Sequence, residues 1–304
     1  MNVLEVKNLK KVIGRSEIIK NLNFEVKEGE IYGFLGPNGA GKTTTIRMLV
    51  GLIKPTSGEV KICGEDLFKN KEKALKDVGA VVENPELYKY LSGRENLMQI
   101  ARIRNVKKEE VNELIKLVGL EHRINDKVKK YSLGMKQRLG LAAALIGNPR
   151  LLILDEPTNG LDPSGIIDFR EIVKKAARER GMAVFISSHI LSEVQQLCDT
   201  VAFINDGVIK AIENMEDAVT GTEKESITLI INNDQNKVCE ILSRQPFVIT
   251  STILDSRINV VIHSGTTSDL IKTLVNEKIS IEEVYKNREG LEQRYMELVE
   301  GGIR

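Results

Sequence analysis

The sequence is poor in the residues that mark several protein classes. It has no tryptophan, and aromatics make up only 4% of its 304 residues, too few to assemble the stacking platforms that single-stranded nucleic acids require. Its three cysteines, Cys63, Cys198 and Cys239, lie far apart in apolar surroundings. They have no metal-ligand spacing and read as buried, reduced thiols. Neither sign of charge is in excess: 44 Lys and Arg stand against 43 Asp and Glu, for a net charge of +1. A chain-wide surface for nucleic acid would carry a clear basic excess, so nucleic acid is not an expected partner. No apolar stretch approaches the ~20 residues of a membrane-spanning helix. The opening MNVLEVKNLKK has no apolar segment of the secretory kind. The expectation is a cytoplasmic protein that reaches a membrane only through a partner.

What the sequence does have is a glycine-rich loop between a strand-like and a helix-like segment. The apolar run IYGFL leads into Gly36-Pro37-Asn38-Gly39-Ala40-Gly41-Lys42-Thr43, followed by Thr44 and a helical pattern to Leu52. This satisfies G-x-x-x-x-G-K-[ST] in full. Glycines let the backbone turn its N–H groups toward phosphate oxygens, and the helix start adds a partial positive charge. Lys42 supplies a cation for the terminal phosphates, and Thr43 a hydroxyl for Mg²⁺. The second half of such a site is LLILDEP: an apolar strand delivers Asp155 at its carboxyl end, where ligands sit in parallel sheets. Asp155 suits Mg²⁺, and Glu156 suits orienting and polarising an attacking water.

The rest of the chain alternates strand-like and helix-like patterns, which predicts an α/β core with a mostly parallel sheet after an antiparallel β start. A helical middle spans about 86–147. In it, Ser92 and Glu95 form a capping-box signature, and Val111, Leu114, Ile115 and Val118 share one helical face closed by Gly119. A further helix is expected from Met135. The first domain is expected over 1–217, with a linker near Ala218 to Lys224. The second, over 225–304, reads β-α-β-β-α-β plus a terminal helix in LEQRYMELVE, a small ferredoxin-like α+β domain.

With these motifs in this order, about the first 215 residues resemble the ATPase subunits of ABC transporters. That resemblance implies a P-loop NTPase fold of the ABC type, with ATP and Mg²⁺ as cofactors. YSLGMKQRLGLA is similar to the family's signature motif: Ser132 and Gly134 match it, while Tyr131, Leu133 and Met135 depart from it. The family binds ATP between two subunits in a head-to-tail dimer, so Ser132, Leu133, Gly134 and Met135 are implied to contact nucleotide held by the opposite copy. NGLDP supplies the D-loop with Asp162, and SSHILSEV supplies the switch histidine as His189. Glu156, His189 and Lys42 are thereby the implied catalytic residues.

Two departures carry information. Ile13 stands where the family places an aromatic that stacks on adenine, which leaves ATP and GTP open. Glu83 stands where the family has Gln, in the loop that senses the γ-phosphate and Mg²⁺ and signals to the permease. A carboxylate there repels a phosphate charge by about 4 kcal/mol per unit-charge pair at 4 Å and an effective dielectric of 20, so it must face the metal, act through water or be protonated. Glu83 together with SLGMKQRLG resembles the subgroup serving bacitracin and lantibiotic resistance or immunity. The resemblance implies a subunit peripheral on the inner face of the plasma membrane, powering a separately encoded permease. An ABC ATPase without a membrane partner and a non-hydrolysing nucleotide sensor remain as alternatives. Against the first stand the single P-loop and the ordinary spacing between motifs. Against the second stands the presence of both Glu156 and His189.

Overall fold

A computed structural model describes residues 1–215, 224–232, 235–254 and 257–287. The chain divides into two compact units, Met1–Glu213 and Asn214–Arg304.

The first unit opens with β1 (Asn2–Ile13) and β2 (Ser16–Lys27), paired antiparallel with Val6 opposite Phe24. Leu22, Phe24 and Val26 alternate with exposed residues and are buried, as the period of a half-covered sheet requires. β3 (Ile31–Leu35) leads through the glycine-rich loop to α1 (Lys42–Leu49). β4 (Ser57–Ile62) and β5 (Glu65–Asp66) complete the first sheet in the order β2-β1-β4-β5. Next come α2 (Lys71–Lys76) and β6 (Val78–Val81), two short elements without a periodic signal in the sequence.

The helical middle holds α3 (Gly93–Ile103), α4 (Lys108–Leu117), a 3₁₀ turn at Val128–Lys130 and α5 (Leu133–Leu145). The Ser92–Glu95 capping box forms with both reciprocal bonds. α5 starts two residues before Met135 because Ser132 caps it, its hydroxyl accepting from the Met135 N–H at 3.2 Å.

β7 (Leu151–Asp155), α6 (Pro163–Arg180), β8 (Ala183–Ser188), α7 (Leu191–Leu197), β9 (Thr200–Asn205) and β10 (Val208–Asn214) finish this part of the chain. The second sheet runs β10-β9-β3-β8-β7-β6, with β6, β7, β8, β3 and β9 parallel. β3, β7 and β8 are buried at every position, which explains their unbroken apolar runs. Four of the aromatics join the two sheets: Phe24, Tyr32, Phe34 and Phe185 form one cluster, with the Phe34 and Phe185 rings 5.3 Å apart. Register then sets the site. Leu35 pairs with Ser188 and Asp155 with Ser187, so Gly36, Glu156 and His189 leave the sheet side by side at its carboxyl edge.

The second unit contains β11 (Lys224–Ile231), α8 (Gln235–Ser243), β12 (Val248–Leu254), β13 (Arg257–His263), α9 (Thr267–Asn276) and β14 (Ile281–Asn287). Its sheet is antiparallel throughout in the order β12-β13-β11-β14, the ferredoxin-like arrangement. Ile227, Leu229, Ile258 and Val260 pack with Val238 and Leu242 of α8 and with Leu270 and Leu274 of α9. The helix read from LEQRYMELVE lies outside the described residues, as does most of the linker.

Candidate functional site

The loop after β3 has the shape its glycines predict. A Cβ on Gly36 would stand 2.2 Å from the Ile204 carbonyl oxygen, and Gly41, at φ +104°, caps α1 with no side-chain bond. The N–H groups of the first turn of α1 are thus left for an anion. Lys42 folds back over the loop and is 4% exposed. Its ammonium donates to the carbonyls of Gly36 at 2.7 Å and Pro37 at 3.0 Å, and lies 3.1 Å from Glu156 Oε1. Asn38 and Gly39 are exposed at the tip, and Thr43 and Thr44 line the start of α1 half-buried.

The carboxylates sit at the end of β7. Asp155 is buried, and its Oδ1 accepts from Ser187 Oγ at 2.7 Å. Burial pushes its pKa above the usual aspartate value; the Ser187 and Thr43 hydroxyls hold it back, and the Glu156 and Glu83 carboxylates add to the rise. Its Oδ2 is buried without a hydrogen bond, an orphaned oxygen beside the Thr43 hydroxyl that suits a hard cation. Glu156 adopts a left-handed backbone at φ +42°, rare for a residue with a side chain. Its N–H donates to Ser187 Oγ at 2.9 Å, which holds that turn. Its Oε2 lies 3.1 Å from His189 Nδ1. A continuous polar chain therefore runs from His189 through Glu156 to Lys42. It can hold an anion at the lysine and present a base and a second proton-carrying group beside it. Ser187 was not singled out in the sequence; only the β7–β8 register brings it under Asp155.

Other predicted residues fall in separate places. Ser132, Leu133, Gly134 and Met135 form the start of α5, the first two exposed and the last two half-buried, and Leu133 and Gly134 lie beside the D-loop at Gly160 and Leu161. Asp162 caps α6, its Oδ1 accepting from the Gly165 N–H at 3.2 Å. Ile13 is exposed at the end of β1. Glu83 is half exposed and ion-paired with Arg47 of α1, a partner the sequence reading missed. Beyond it, Asn84, Pro85 and Leu87 line a groove of about 380 Å³ against Ile100, Arg104 and Gly140. Tyr88 and Tyr90 are exposed near it, whereas Leu91 is partly buried.

The sequence pattern of the ABC transporter family matches residues 19–159. An uncharacterised ABC transporter ATP-binding protein of Bacillus subtilis, YhcH, is 48% identical over 297 residues, covering 97% of this chain and 95% of its own length. The chain belongs to the ABC transporter ATP-binding family. Among its relatives, the bacitracin transport ATP-binding protein BcrA of Bacillus licheniformis is 44% identical over 99% of this chain and 98% of its own length. The lantibiotic transport ATP-binding protein SrtF of Streptococcus pyogenes is 44% identical over 68% and 89%. A dimeric bacterial ABC transporter cassette superposes with a TM-score of 0.64 at 27% identity, covering 70% of this chain and 98% of that one. The protein is accordingly an ABC ATPase, of a family whose ATP-binding subunits dimerise and work with membrane permeases. No helix among the described residues is long and apolar enough to cross a membrane.

Proposed function

We propose that this ABC ATPase hydrolyses ATP to power a separately encoded permease that removes a peptide antibiotic of the bacitracin or lantibiotic type. The peptide class rests on BcrA and SrtF, which are named for such transport. The observation that carries the ATPase chemistry is the chain from His189 through Glu156 to Lys42 at the mouth of the glycine-rich loop.

Residues 36–44 cradle the phosphates through backbone N–H groups, and Lys42 neutralises the terminal ones. Glu156 orients and polarises the attacking water, and His189 fixes the Glu156 carboxylate and faces the γ-phosphate. Asp155 Oδ2 and the Thr43 hydroxyl, with Glu83 nearby, are the groups that would hold Mg²⁺, which when bound shields the charge of the β- and γ-phosphate oxygens. Ser132 and the exposed start of α5 reach the nucleotide of the second copy in a head-to-tail homodimer, and Asp162 keeps the D-loop beside them. Closure of that dimer requires stronger contacts in the ATP-bound state than in the open one, and these cross-subunit groups supply them. Ile13 offers the base an apolar contact without stacking. The groove beside Glu83 receives the permease, which keeps the ATPase at the inner face of the plasma membrane.

The test is Glu156→Gln protein, purified with Mg-ATP from gently solubilised native membranes. Loss of turnover, a trapped dimer and a stoichiometric polytopic membrane protein are the expected results. Unchanged turnover refutes the role of Glu156. Recovery with soluble nucleic-acid machinery alone refutes the transporter reading.

A further inference from the structure

Arg47 belongs to none of the motifs, yet it holds the glutamate that makes this cassette unusual. It lies on α1 four residues beyond Thr43, one turn along the same helix face. Its guanidinium is ion-paired to Glu83 Oε1, with 46% of the Arg47 and 54% of the Glu83 side chain exposed. Glu83 also holds a left-handed backbone at φ +59°, a conformation that persists in a residue with a side chain only where its surroundings fix it.

Three physical consequences meet at this pair. The Glu83 carboxylate is close enough to Asp155 to oppose its ionisation, so it bears on the region where Mg-ATP is proposed to bind. Unpaired, it would repel the triphosphate; paired, it presents a neutral dipole. The same loop continues without a break into Asn84, Pro85 and Leu87 of the groove. Pro85 is seated on Gly140 so closely that a Cβ there would lie 2.5 Å from its ring. A shift of Glu83 therefore moves the wall of that groove.

We infer that Arg47 is the positioning residue for Glu83: their ion pair sets the position of the 82–87 loop and cancels the glutamate's charge, so that Mg-ATP meets a neutral pair there instead of a bare carboxylate. This rests on the proposed ATPase site. Arg47 touches neither the reacting atoms nor the water; it acts through Glu83.

A double-mutant cycle with the full chain tests it, using Arg47→Gln, Glu83→Gln and the double variant. The readouts are equilibrium binding of a fluorescent ATP analogue with Mg²⁺, and KM and kcat for Mg-ATP. Arg47→Gln leaves Glu83 uncompensated and weakens nucleotide binding about tenfold, a coupling of about 1.4 kcal/mol. In the Glu83→Gln background the same Arg47→Gln change alters affinity by less than about twofold, because no glutamate charge is left to cancel. Arg47→Lys retains the charge and keeps affinity within about threefold. A purely structural Arg47 would give the same loss with or without the Glu83→Gln change, and that additive outcome overturns the inference, as does unchanged affinity in Arg47→Gln. If Arg47→Gln fails to fold, Arg47→Lys alone and combined with Glu83→Gln carries the same comparison at low and high salt. An effect of Arg47→Lys that needs the glutamate and fades with salt supports the pair, and an effect indifferent to the Glu83→Gln change overturns it. Wild-type protein that turns over no ATP would instead refute the ATPase reading, so the two failures are distinguishable.

Discussion

Replacing Ser187 by Ala removes one oxygen atom from a fully buried position, and the structure says what that atom does. It accepts the Glu156 N–H at 2.9 Å and donates to Asp155 Oδ1 at 2.7 Å. The volume lost is too small for a cavity to matter. The cost comes from two polar groups left without this partner, the buried Asp155 carboxylate and the partly buried Glu156 N–H, each worth roughly 1–3 kcal/mol when unsatisfied. With partial relaxation, the nucleotide-free first unit should lose about 2–4 kcal/mol, a large share of the ~5–15 kcal/mol that holds a typical domain. Urea unfolding followed by far-UV circular dichroism reads this directly. At a slope of about 1–3 kcal/mol per molar, the midpoint should fall by about 1–2 M. The transition of the ferredoxin-like unit, with its own core, should stay where it is. Turnover should fall by about 10²-fold, because the tether of the left-handed Glu156 turn is gone and a 1 Å misplacement costs that much. A midpoint moved by less than about 0.3 M would refute the claim that Ser187 is the clamp between the two strands.

Two further outcomes follow from the same geometry. Asp155→Asn should abolish Mg-ATP turnover yet raise the melting temperature of nucleotide-free protein near neutral pH. The folded pKa of Asp155 lies above its unfolded value, so its charged form costs stability in full above the folded value, and the cost disappears below the unfolded one. Melts between pH 4 and 8 should show wild type approaching the variant as pH falls, and a variant less stable at every pH would contradict the sign. Gly79→Ala places a Cβ 2.0 Å from the Ala144 carbonyl oxygen, where β6 meets α5. It should destabilise the first unit by about 3 kcal/mol, and a thermal melt within 1 °C of wild type would show that the contact yields.

The parts of the site legible in the sequence are those carried by contiguous residues of demanding type. Gly36, Gly41, Lys42 and Thr43 are read together because one turn needs all of them, and Asp155 with Glu156 because a continuous apolar strand ends there. His189 gains meaning from its order after them. Ser187 and Arg47 were illegible for a different reason. A serine becomes a clamp only through the register that sets β8 against Asp155, and an arginine becomes a counter-ion only when a loop from elsewhere lands one turn beyond Thr43. Alternation sufficed for the second unit, where Ile227 and Leu229 face Val260 and Ile258 across β11 and β13. It failed for α2 and β6, which are too short for a period to emerge. The start of α5 shifted for a local reason, since the Ser132 cap overrides the apolar pattern that begins later.

The contact between Lys42 and Glu156, 3.1 Å apart, has a consequence for timing. The ammonium proposed to take the terminal phosphate is engaged by the very carboxylate proposed to act on water, so on that reading the two tasks are coupled. If Lys42 binds phosphate as proposed, the phosphate would compete with Glu156 for the ammonium and would release the glutamate. Occupancy and arming would then be a single event. A nucleoside, which brings no phosphate to Lys42, would leave the Lys42–Glu156 contact in place however well its base is held.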